Sequence, residues 1–393
     1  MPGSVLVSFA RTPIGRLNGA LSSLPAVELG GIAIAAALAR GGVSPDQVDR
    51  VVMGQVLQAG QGQNPARQAA AKAGAPMAVP ALTVNSVCLS GLHAIQLADQ
   101  LVQSGEADVV VAGGMESMSQ APHLLAGARA GYRLGDATLV DSIIRDGLWC
   151  AFDDVHMGGG TDRYAAQAGI SRADQDELAV ASHERAAIAG KEGRFADEVQ
   201  PVTIPQRKGD PLWVESDEGV RPDTSMEGLT RLKPAFSPEG TITAGNASQI
   251  SDGAAAVVVM SRAKAEQLGA PVQAELVGFG TVAGPDPSLL TQPSRAVLRA
   301  LERAGVKASE ISLFEINEAF AAVVAASAAE LGIDRDALNV NGGAIALGHP
   351  IGMSGARLVI TLAAELRRRG GGLGAAALCG GGGQGAAALV RVG

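Results

Sequence analysis

The sequence has few cysteines and no long hydrophobic run. Cys88, Cys150 and Cys379 are the only three cysteines in 393 residues, and they form no CxxC pair. Such scattered thiols exclude a disulfide framework and favour a reducing compartment, so we expect a cytoplasmic protein. No apolar stretch reaches the ~20 residues that span a bilayer, and no secretory signal is recognisable. We therefore expect no membrane insertion.

Other absences narrow the possible functions. The formal charge is −8, and the one basic triplet, at 367–369, ends a helical pattern, so we expect no nucleic-acid partner. The chain has no HExxH motif, no cysteine and histidine cluster with zinc spacing, and no GxSxG motif. It also lacks a GxGxxG motif after a strand, so the sequence predicts neither a metal nor a dinucleotide cofactor.

Glycine, in contrast, is abundant, at 52 of 393 residues against a typical ~7%. The glycines lie at the ends of apolar runs without a fixed period, which predicts tight turns and close backbone contacts. Strand patterns at 5–10, 48–57 and 107–114, the last ended by a glycine pair, alternate with a helical pattern at 26–43. This alternation predicts an α/β fold with a mainly parallel sheet.

The middle of the chain has a different composition. Residues 119–245 carry more charge, more proline and little strand pattern, but include a helical pattern at 171–189 with Ser171 as its N-cap. A strand and a helix are predicted again at 251–269, and a second α/β run begins near residue 272. We interpret the middle segment as an insertion.

The two α/β runs resemble each other. Asn85 opens a helical pattern that is followed by ADVVVAGG, and Asn341 opens one that is followed by LGAAALCGGG. This echo predicts a duplicated fold in which two helix starts and two strand ends meet at a shared site.

Cys88 lies in NSVCLSGLHAIQLA, directly ahead of a helical pattern. One face of that pattern carries Leu92, Ile95, Ala98 and Val102, which places Cys88 in the first turn. Free amides and the helix dipole there lower the pKa of a thiol, which favours a nucleophile. The alternative is a packed core thiol, because free cysteine is among the most buried residue types.

Other residues are suited to chemistry beside a thiol. His349 lies in a glycine-rich loop before Pro350, and is either a base that takes a proton from a thiol or a structural histidine. Cys379 precedes four glycines between two strand patterns, and the N–H groups of such a turn can hold an oxyanion; the alternative is a strand-end cysteine. Asn317 and Glu318 lie where a strand pattern becomes helical, so Asn317 is either an N-cap or an amide that holds a water or a carbonyl.

These residues belong to a series of motifs that resembles the thiolase family from about residue 3 to 392. The motifs, in chain order, are NSVCLSGLHAI, GGMESMSQAP, HMG, GNASQISDGAAA, NEAF, GGAIALGHPIGMSGARL and CGGGGQGAA. The resemblance implies two similar five-stranded mixed sheets in a five-layer αβαβα sandwich with an inserted loop domain. It also implies a reversible Claisen condensation, in which two acetyl-CoA molecules give acetoacetyl-CoA and CoA by a ping-pong path without a cofactor.

The resemblance further implies a division of the chain. Residues 1–118 and 250–271 form the N-terminal half, residues 119–249 the loop domain for CoA binding and tetramerisation, and residues 272–393 the C-terminal half. The QAPH and RDGL…AF…HMG patterns resemble the tetramer-forming version of the loop, so we expect a homotetramer.

Individual roles also follow from the resemblance. Cys88 is the nucleophile that becomes acetylated, and His349 activates it and later helps to hold the thioester oxygen. Asn317 shares this oxyanion hole through a water, and Cys379 moves the proton at the α-carbon of the second acetyl group. The main-chain N–H groups of Cys88 and Gly381 form a second oxyanion hole.

The implied CoA site lies largely in the loop domain. Arg221 corresponds to a position near the nucleotide phosphates, and Ser248 to one that hydrogen-bonds the pantetheine. The tunnel and acyl pocket correspond to Leu148, His156, Met157, Phe236, Ala244 and Phe320. Apolar walls suit an acyl chain, and a few placed polar groups suit the pantetheine amides.

The acyl-chain length remains open between two subclasses. Residues 117–158 resemble the biosynthetic, short-chain type, and the bulky Met157 and Phe320 favour a short acyl group. The family pattern MGxTAE reads MGGGTDRYA here and GNASG reads GNASQ, both near the pantetheine side. A degradative 3-ketoacyl-CoA thiolase is therefore the alternative.

Two other classes fit the cysteines less well. A decarboxylating condensing enzyme of this fold has no second cysteine, so Cys379 argues against it. A non-catalytic acyl-CoA-binding or lipid-binding relative typically loses one of Cys88, His349 and Cys379, and all three are present. Cys150 is expected to serve packing.

Overall fold

The structure, a computed structural model, describes residues 4–393. The first α/β run contains the strands β1 (Val5–Arg11), β2 (Gly15–Arg16), β3 (Arg50–Gly54), β4 (Ala81–Val84) and β5 (Val109–Ser117). Its helices are α1 (Ala26–Gly41), α2 (Pro65–Lys72) and α3 (Ser90–Gln103). The strands predicted at 5–10 and 48–57 and the helix predicted at 26–43 are confirmed to within a few residues.

The middle segment contains short elements. Its strands form three separate two-stranded hairpins: β6 (His123–Leu124) with β7 (Val140–Asp141), β8 (Trp149–Cys150) with β9 (Val155–His156), and β10 (Val202–Ile204) with β11 (Leu212–Val214). Its helices are a π-helix (Ile143–Leu148), α4 (Met157–Gln167), α5 (Arg172–Lys191) and α6 (Met226–Thr230). Ser171 is the N-cap of α5, as predicted, and its hydroxyl accepts a hydrogen bond from Asp174 N.

The chain then returns to long elements. These are β12 (Ser251–Met260), α7 (Arg262–Leu268), β13 (Ala274–Ala283), α8 (Gln292–Ala304), β14 (Leu313–Ile316), α9 (Ala321–Leu331), α10 (Ala344–Leu347), α11 (Ser354–Arg368), β15 (Gly372–Gly380) and β16 (Gln384–Val392). The strand and helix predicted at 251–269 are confirmed.

The main sheet is mixed and follows the order β14-β15-β16-β13-β1-β12-β5-β3-β4, with β2 paired to β12. Among the strand pairs of residues 4–393, only β14·β15, β3·β4 and β3·β5 are parallel. The prediction of a mainly parallel sheet was therefore wrong. The reason is partly local: the short turn after β15 can only return β16 antiparallel to it, because parallel neighbours need a long crossover.

The sheet repeats one arrangement twice. The order β1-β12-β5-β3 is matched by β13-β16-β15-β14, and β1 pairs with β13 to join the two halves, for example at Val5 and Glu275. The counterpart of β4 is reduced to a single bridge between Phe314 and Leu338. The duplication predicted from the echo is confirmed by this topology.

Helices cover both faces of each half. Helices α1 and α2 pack on one side of the first half and α8 and α9 on one side of the second, while α3 and α11 pack against each other between them. The apolar stripe predicted on α3 is buried in this central layer together with Leu358 and Leu362 of α11. Each such leucine contributes about 1.5–3 kcal/mol on burial. Among residues 4–393, no helix combines the length and apolar character needed to cross a membrane.

Strand β5 continues through the glycine pair that was predicted to end it. A Cβ on Gly113 would lie 2.0 Å from Ala255 O, and a Cβ on Gly114 would lie 2.0 Å from Gly352 O. The two glycines therefore allow other backbone segments to touch the middle of the strand. One of those segments belongs to the loop that holds His349.

Candidate active site

Cys88 lies in a tight turn between β4 and α3. Val87 has a φ of 54°, a conformation that costs a β-branched residue about 1–3 kcal/mol. The turn is held by Asn85, whose side chain accepts from Val87 N at 3.0 Å, and by Ser90, whose hydroxyl accepts from Ser86 N at 2.9 Å. The helical pattern had predicted that Cys88 lies in the first turn of α3. This prediction was wrong, because α3 begins only at Ser90 and Cys88 precedes it by two residues.

The thiol of Cys88 is buried. Burial raises its pKa to about 12, and the main-chain N–H groups of Cys88 and Gly381 oppose this rise only in part. The predicted lowering of this pKa was wrong, because the loss of hydration of the thiolate outweighs the amide dipoles. Cys88 is therefore a neutral thiol in the free protein and needs a base to become a nucleophile.

His349 lies in the loop between α10 and α11, where other elements fix it from both sides. Its main-chain N–H donates to Gln249 O at 3.0 Å and lies 3.2 Å from Ser251 Oγ. Its Nδ1 lies 2.5 Å from Ser354 Oγ. Burial, together with the positive charge of Arg357, lowers the pKa of His349 to about 3, so its imidazole is neutral in the free protein and one ring nitrogen carries a lone pair.

Glycines allow the His349 loop to touch the helix that follows Cys88. A Cβ on Gly91 would lie 2.9 Å from Gly352 O, and a Cβ on Gly355 would lie 2.5 Å from Leu92 N. The buried carboxylate of Glu116 accepts from Gly352 N at 3.0 Å and from two main-chain N–H groups of the loop after β3. Together, the close glycine contacts and the Glu116 hydrogen bonds hold the loop from the second half against the start of α3.

Asn317 faces the imidazole. Its Nδ2 lies 3.4 Å from His349 Nε2, and its main-chain N–H donates to Ala377 O at 2.9 Å. The N-cap alternative is wrong, because α9 begins only at Ala321. Within residues 4–393, the buried Asn317 Oδ1 has no hydrogen-bond partner, so it is free to bind a water or a ligand.

Cys379 lies near the end of β15, before the turn into β16, as predicted. It is fully buried, and burial and the nearby sulfur of Cys88 both raise the pKa of its thiol. In the following turn, a Cβ on Gly381 would lie 3.3 Å from Val87 Cγ1 and 2.6 Å from Met157 Cε. The two cysteines thus come from different halves and lie close together, with Gly381 beside Cys88. Asn317 and His349 form a buried pair, and Asn317 hydrogen-bonds the strand that carries Cys379. We call these five residues the two-cysteine site.

An aromatic wall adjoins this site. The rings of His156 and Phe236 are stacked with centroids 4.5 Å apart, and Phe320 meets Phe236 edge-on at 6.2 Å. Phe236, Phe320 and Met157 belong to the same apolar cluster as Cys379. These predicted pocket residues therefore leave little room beside the second sulfur.

The remaining predicted CoA residues lie farther out. Leu148 ends the π-helix and packs against the apolar cluster that contains Cys88. Ser248 is half-buried, whereas Arg221 and Ala244 are exposed on the segment between α5 and β12. The structure thus packs Leu148 against the central apolar cluster and leaves Arg221 and Ala244 at the surface.

Several residues that hold the site together had no role predicted from the sequence. Ser354, Ser251 and Gln249 contact His349, and Glu116 anchors its loop. A signal existed for Glu116, which is a carboxylate next to an apolar strand pattern. No periodicity marks the other three, because they act through loop geometry.

Cys150 is buried and lines a small cavity with Met157 and Gly381. This burial agrees with the packing role expected for it. No group of three or more His, Cys, Asp or Glu side chains that could hold a metal ion occurs within residues 4–393.

Comparison with known proteins agrees with this architecture. The family model of the thiolase N-terminal domain matches residues 4–263, and that of the thiolase C-terminal domain matches residues 270–392. A probable acetyl-CoA acetyltransferase of Mycolicibacterium smegmatis is 57% identical over 387 residues, covering 98% of this chain and 100% of that protein. The acetyl-CoA acetyltransferases of Cupriavidus necator and Pseudomonas aeruginosa are 52% and 51% identical, each over 96% of both chains. The chain therefore belongs to the thiolase family.

Proposed function

We propose that this protein is an acetyl-CoA acetyltransferase, which joins two acetyl-CoA molecules into acetoacetyl-CoA and CoA and also runs the reverse thiolysis. The observation that carries the proposal is that Cys88 and Cys379, from different halves of the fold, lie close together in the buried interior. Asn317, which faces His349, hydrogen-bonds strand β15 two residues before Cys379. The acetyl-CoA acetyltransferases to which the chain is similar over nearly its full length support this choice of reaction.

In the first half-reaction, His349 Nε2 takes the proton of Cys88, and the thiolate attacks the carbonyl carbon of acetyl-CoA. The bond from that carbon to the CoA sulfur breaks, and the leaving CoA sulfur takes the proton of Cys379. Cys88 is then acetylated, His349 is protonated and Cys379 is a thiolate. The N–H groups of Cys88 and Gly381, which lie close enough to the Cys88 thiol to oppose the rise of its pKa, stabilise the carbonyl oxygen as it becomes an oxyanion.

In the second half-reaction, the Cys379 thiolate removes a proton from the α-carbon of a second acetyl-CoA. Protonated His349 and Asn317, through a water on its unpartnered Oδ1, hold the enolate oxygen. The enolate carbon attacks acetyl-Cys88, the bond from the acetyl carbon to the sulfur breaks, and acetoacetyl-CoA forms. The Cys88 thiolate then takes the proton back from His349, so every group returns to its starting state.

The CoA moiety would run from the two-cysteine site to the surface of the middle segment. Arg221, exposed and cationic, suits a phosphate group, and Ser248, half-buried, suits a pantetheine amide. Leu148 and Ala244 would line the path. The aromatic wall, which includes Phe236 and Phe320, leaves little space beside Cys379 and therefore favours a short acyl group.

Further properties follow from the same proposal. The chemistry needs only protein side chains and CoA thioesters, so we expect full activity without a metal or prosthetic group. We also propose that the protein is a cytoplasmic homotetramer.

We further propose a division of the chain into two halves and an insertion. Residues 1–118 and 250–271 would form the N-terminal half, residues 119–249 the inserted loop domain, and residues 272–393 the C-terminal half. Residues 1–3 lie outside the described residues.

Thiolysis of 3-ketoacyl-CoA substrates of increasing length tests the proposed specificity. We expect the purified protein to cleave acetoacetyl-CoA with CoA much faster than a C8 or longer substrate. A strong preference for the longer chain would replace the proposal with the degradative 3-ketoacyl-CoA thiolase. Failure to cleave any of them would contradict both.

A further inference from the structure

Ser354 is the hydrogen-bond partner of His349 at Nδ1, the ring nitrogen opposite the one that faces Asn317. It is the first residue of α11, and its Oγ lies 2.5 Å from His349 Nδ1. The same Oγ lies 3.0 Å from Pro350 O, with the hydroxyl as the donor. His349, Pro350 and Ser354 are all buried, so water does not compete for these contacts.

The hydroxyl of Ser354 has a single hydrogen, so it cannot donate to both neighbours. Pro350 O can only accept a hydrogen bond. When Ser354 donates to Pro350 O, its oxygen is left to accept a hydrogen bond from His349 Nδ1–H, and both short contacts are satisfied. If Ser354 donated to Nδ1 instead, the contact with Pro350 O would lose its hydrogen.

The other side of the ring points to the same proton arrangement. Asn317 Nδ2 is a donor and lies 3.4 Å from His349 Nε2, so it fits a ring nitrogen that carries a lone pair and not a hydrogen. The amide orientation and the two contacts of Ser354 are therefore mutually consistent. Together they put the ring proton on Nδ1 and the lone pair on Nε2.

We infer that Ser354 is a positioning residue that holds His349 in the Nδ1–H tautomer, with the Nε2 lone pair directed toward the reacting groups. The inference rests on the proposed function, for which Nε2 must accept the Cys88 proton. A serine also differs from a carboxylate partner, because it orients the ring without adding a charge that would favour the imidazolium.

The charged groups around His349 come from three elements. Arg357 of α11 is paired with Glu315 of β14 at 2.8 Å, and Glu116 of β5 binds the loop through Gly352 N. None of these substitutes for Ser354, because none hydrogen-bonds the imidazole. Removal of the hydroxyl therefore leaves Nδ1 without a partner inside a buried site.

Two measurements test the inference. The first uses ¹⁵N-histidine NMR of the free protein, in which His349 is assigned by its loss in His349→Gln. We expect Nδ1 to be protonated and Nε2 to be unprotonated in the wild type, and a mixture of the two tautomers in Ser354→Ala. A wild-type ring protonated on Nε2 would overturn the inference, and this readout does not depend on the stability of any Ser354 variant.

The second measurement follows the alkylation of Cys88 by iodoacetamide as a function of pH, read by mass spectrometry of the Cys88 peptide. We expect alkylation to slow roughly tenfold in Ser354→Ala near neutral pH, with its rise displaced to higher pH, and to recover in Ser354→Thr, which keeps the hydroxyl. An unchanged rate and pH profile in Ser354→Ala would overturn the inference. Acetylation of wild-type Cys88 by acetyl-CoA, measured on the same sample, tests the proposed function separately.

Discussion

Substitution of Gly352 by alanine would separate the two halves of the site without removing any reactive group. A Cβ at this position would lie 2.8 Å from Glu116 Oε2, 2.9 Å from the Cα of Gln55 and 2.9 Å from Met115 O. Two of these atoms belong to the backbone, and the third, Glu116 Oε2, accepts hydrogen bonds from Val56 N and from Gly352 N itself. None of the three can move aside easily, so the loop that carries His349 must shift.

The expected size of the effect follows from these distances. Overpacking of this kind costs about 1–3 kcal/mol of the free energy of unfolding. A displacement of about 1 Å in a reacting group lowers the rate by on the order of 100-fold. We therefore expect Gly352→Ala to lose thiolysis activity far more than stability. Gly190→Ala is the control, because its Cβ would meet no atom within 4 Å and the residue lies inside helix α5.

The assay combines kcat for acetoacetyl-CoA thiolysis with the thermal unfolding midpoint of each variant. Gly190→Ala should keep wild-type kcat and gain slightly in stability, because alanine favours a helix over glycine by about 1 kcal/mol. If Gly352→Ala retained kcat within about twofold, the close contact between the His349 loop and strand β5 would not position the base, and the reasoning would be wrong.

Three further predictions concern other parts of the molecule. Asn317→Ala should lower kcat by roughly 10²–10³ with little change in KM, because it releases the water that is proposed to donate to the enolate oxygen, and steady-state kinetics with Asn317→Asp for comparison checks this. Met157→Ala should raise the relative rate of thiolysis of longer 3-ketoacyl-CoA substrates, because the smaller side chain enlarges the space beside Cys379. An unchanged chain-length profile would contradict this prediction. Burial alone would raise the pKa of Glu365, but hydrogen bonds from Arg368, Arg369 and Asn341 lower it from 4.5 to about 2. The stability of the wild type relative to Glu365→Gln should therefore be full above about pH 4.5 and disappear as the pH falls toward 2, as measured by unfolding at a series of pH values. A constant difference would contradict it.

The regular elements of the fold were predictable because they follow from periodicity. Strand β1 and helix α1 lie within a few residues of the predicted ranges, and the Ser171 cap occurs as expected. The strand directions were not predictable in the same way. They depend on how β12 and β16 return to the sheet, which is a property of long connections and turns and not of local pattern.

The site was predictable as a set of residue types, but its electrostatics were not. The position of Cys88 before a helix suggested a low pKa for its thiol, whereas burial raises that pKa to about 12. Burial depends on what the second half places over the turn, including Gly381 and the His349 loop, and no local pattern encodes it. The role of Glu116 was not predictable because it binds a loop 236 residues away. Ser354 lies only five residues from His349, but their contact depends on the loop conformation and follows no helix or strand period.

The central claim is that Cys88 is the sulfur that carries the acetyl group between two CoA thioesters. The most direct test is intact-protein and peptide mass spectrometry after incubation with acetyl-CoA alone. We expect one acetyl group per chain, on the peptide that contains Cys88, which is lost when CoA is added and does not form in Cys88→Ala. Absence of the adduct in the wild type, or an undiminished adduct in Cys88→Ala, would contradict the account.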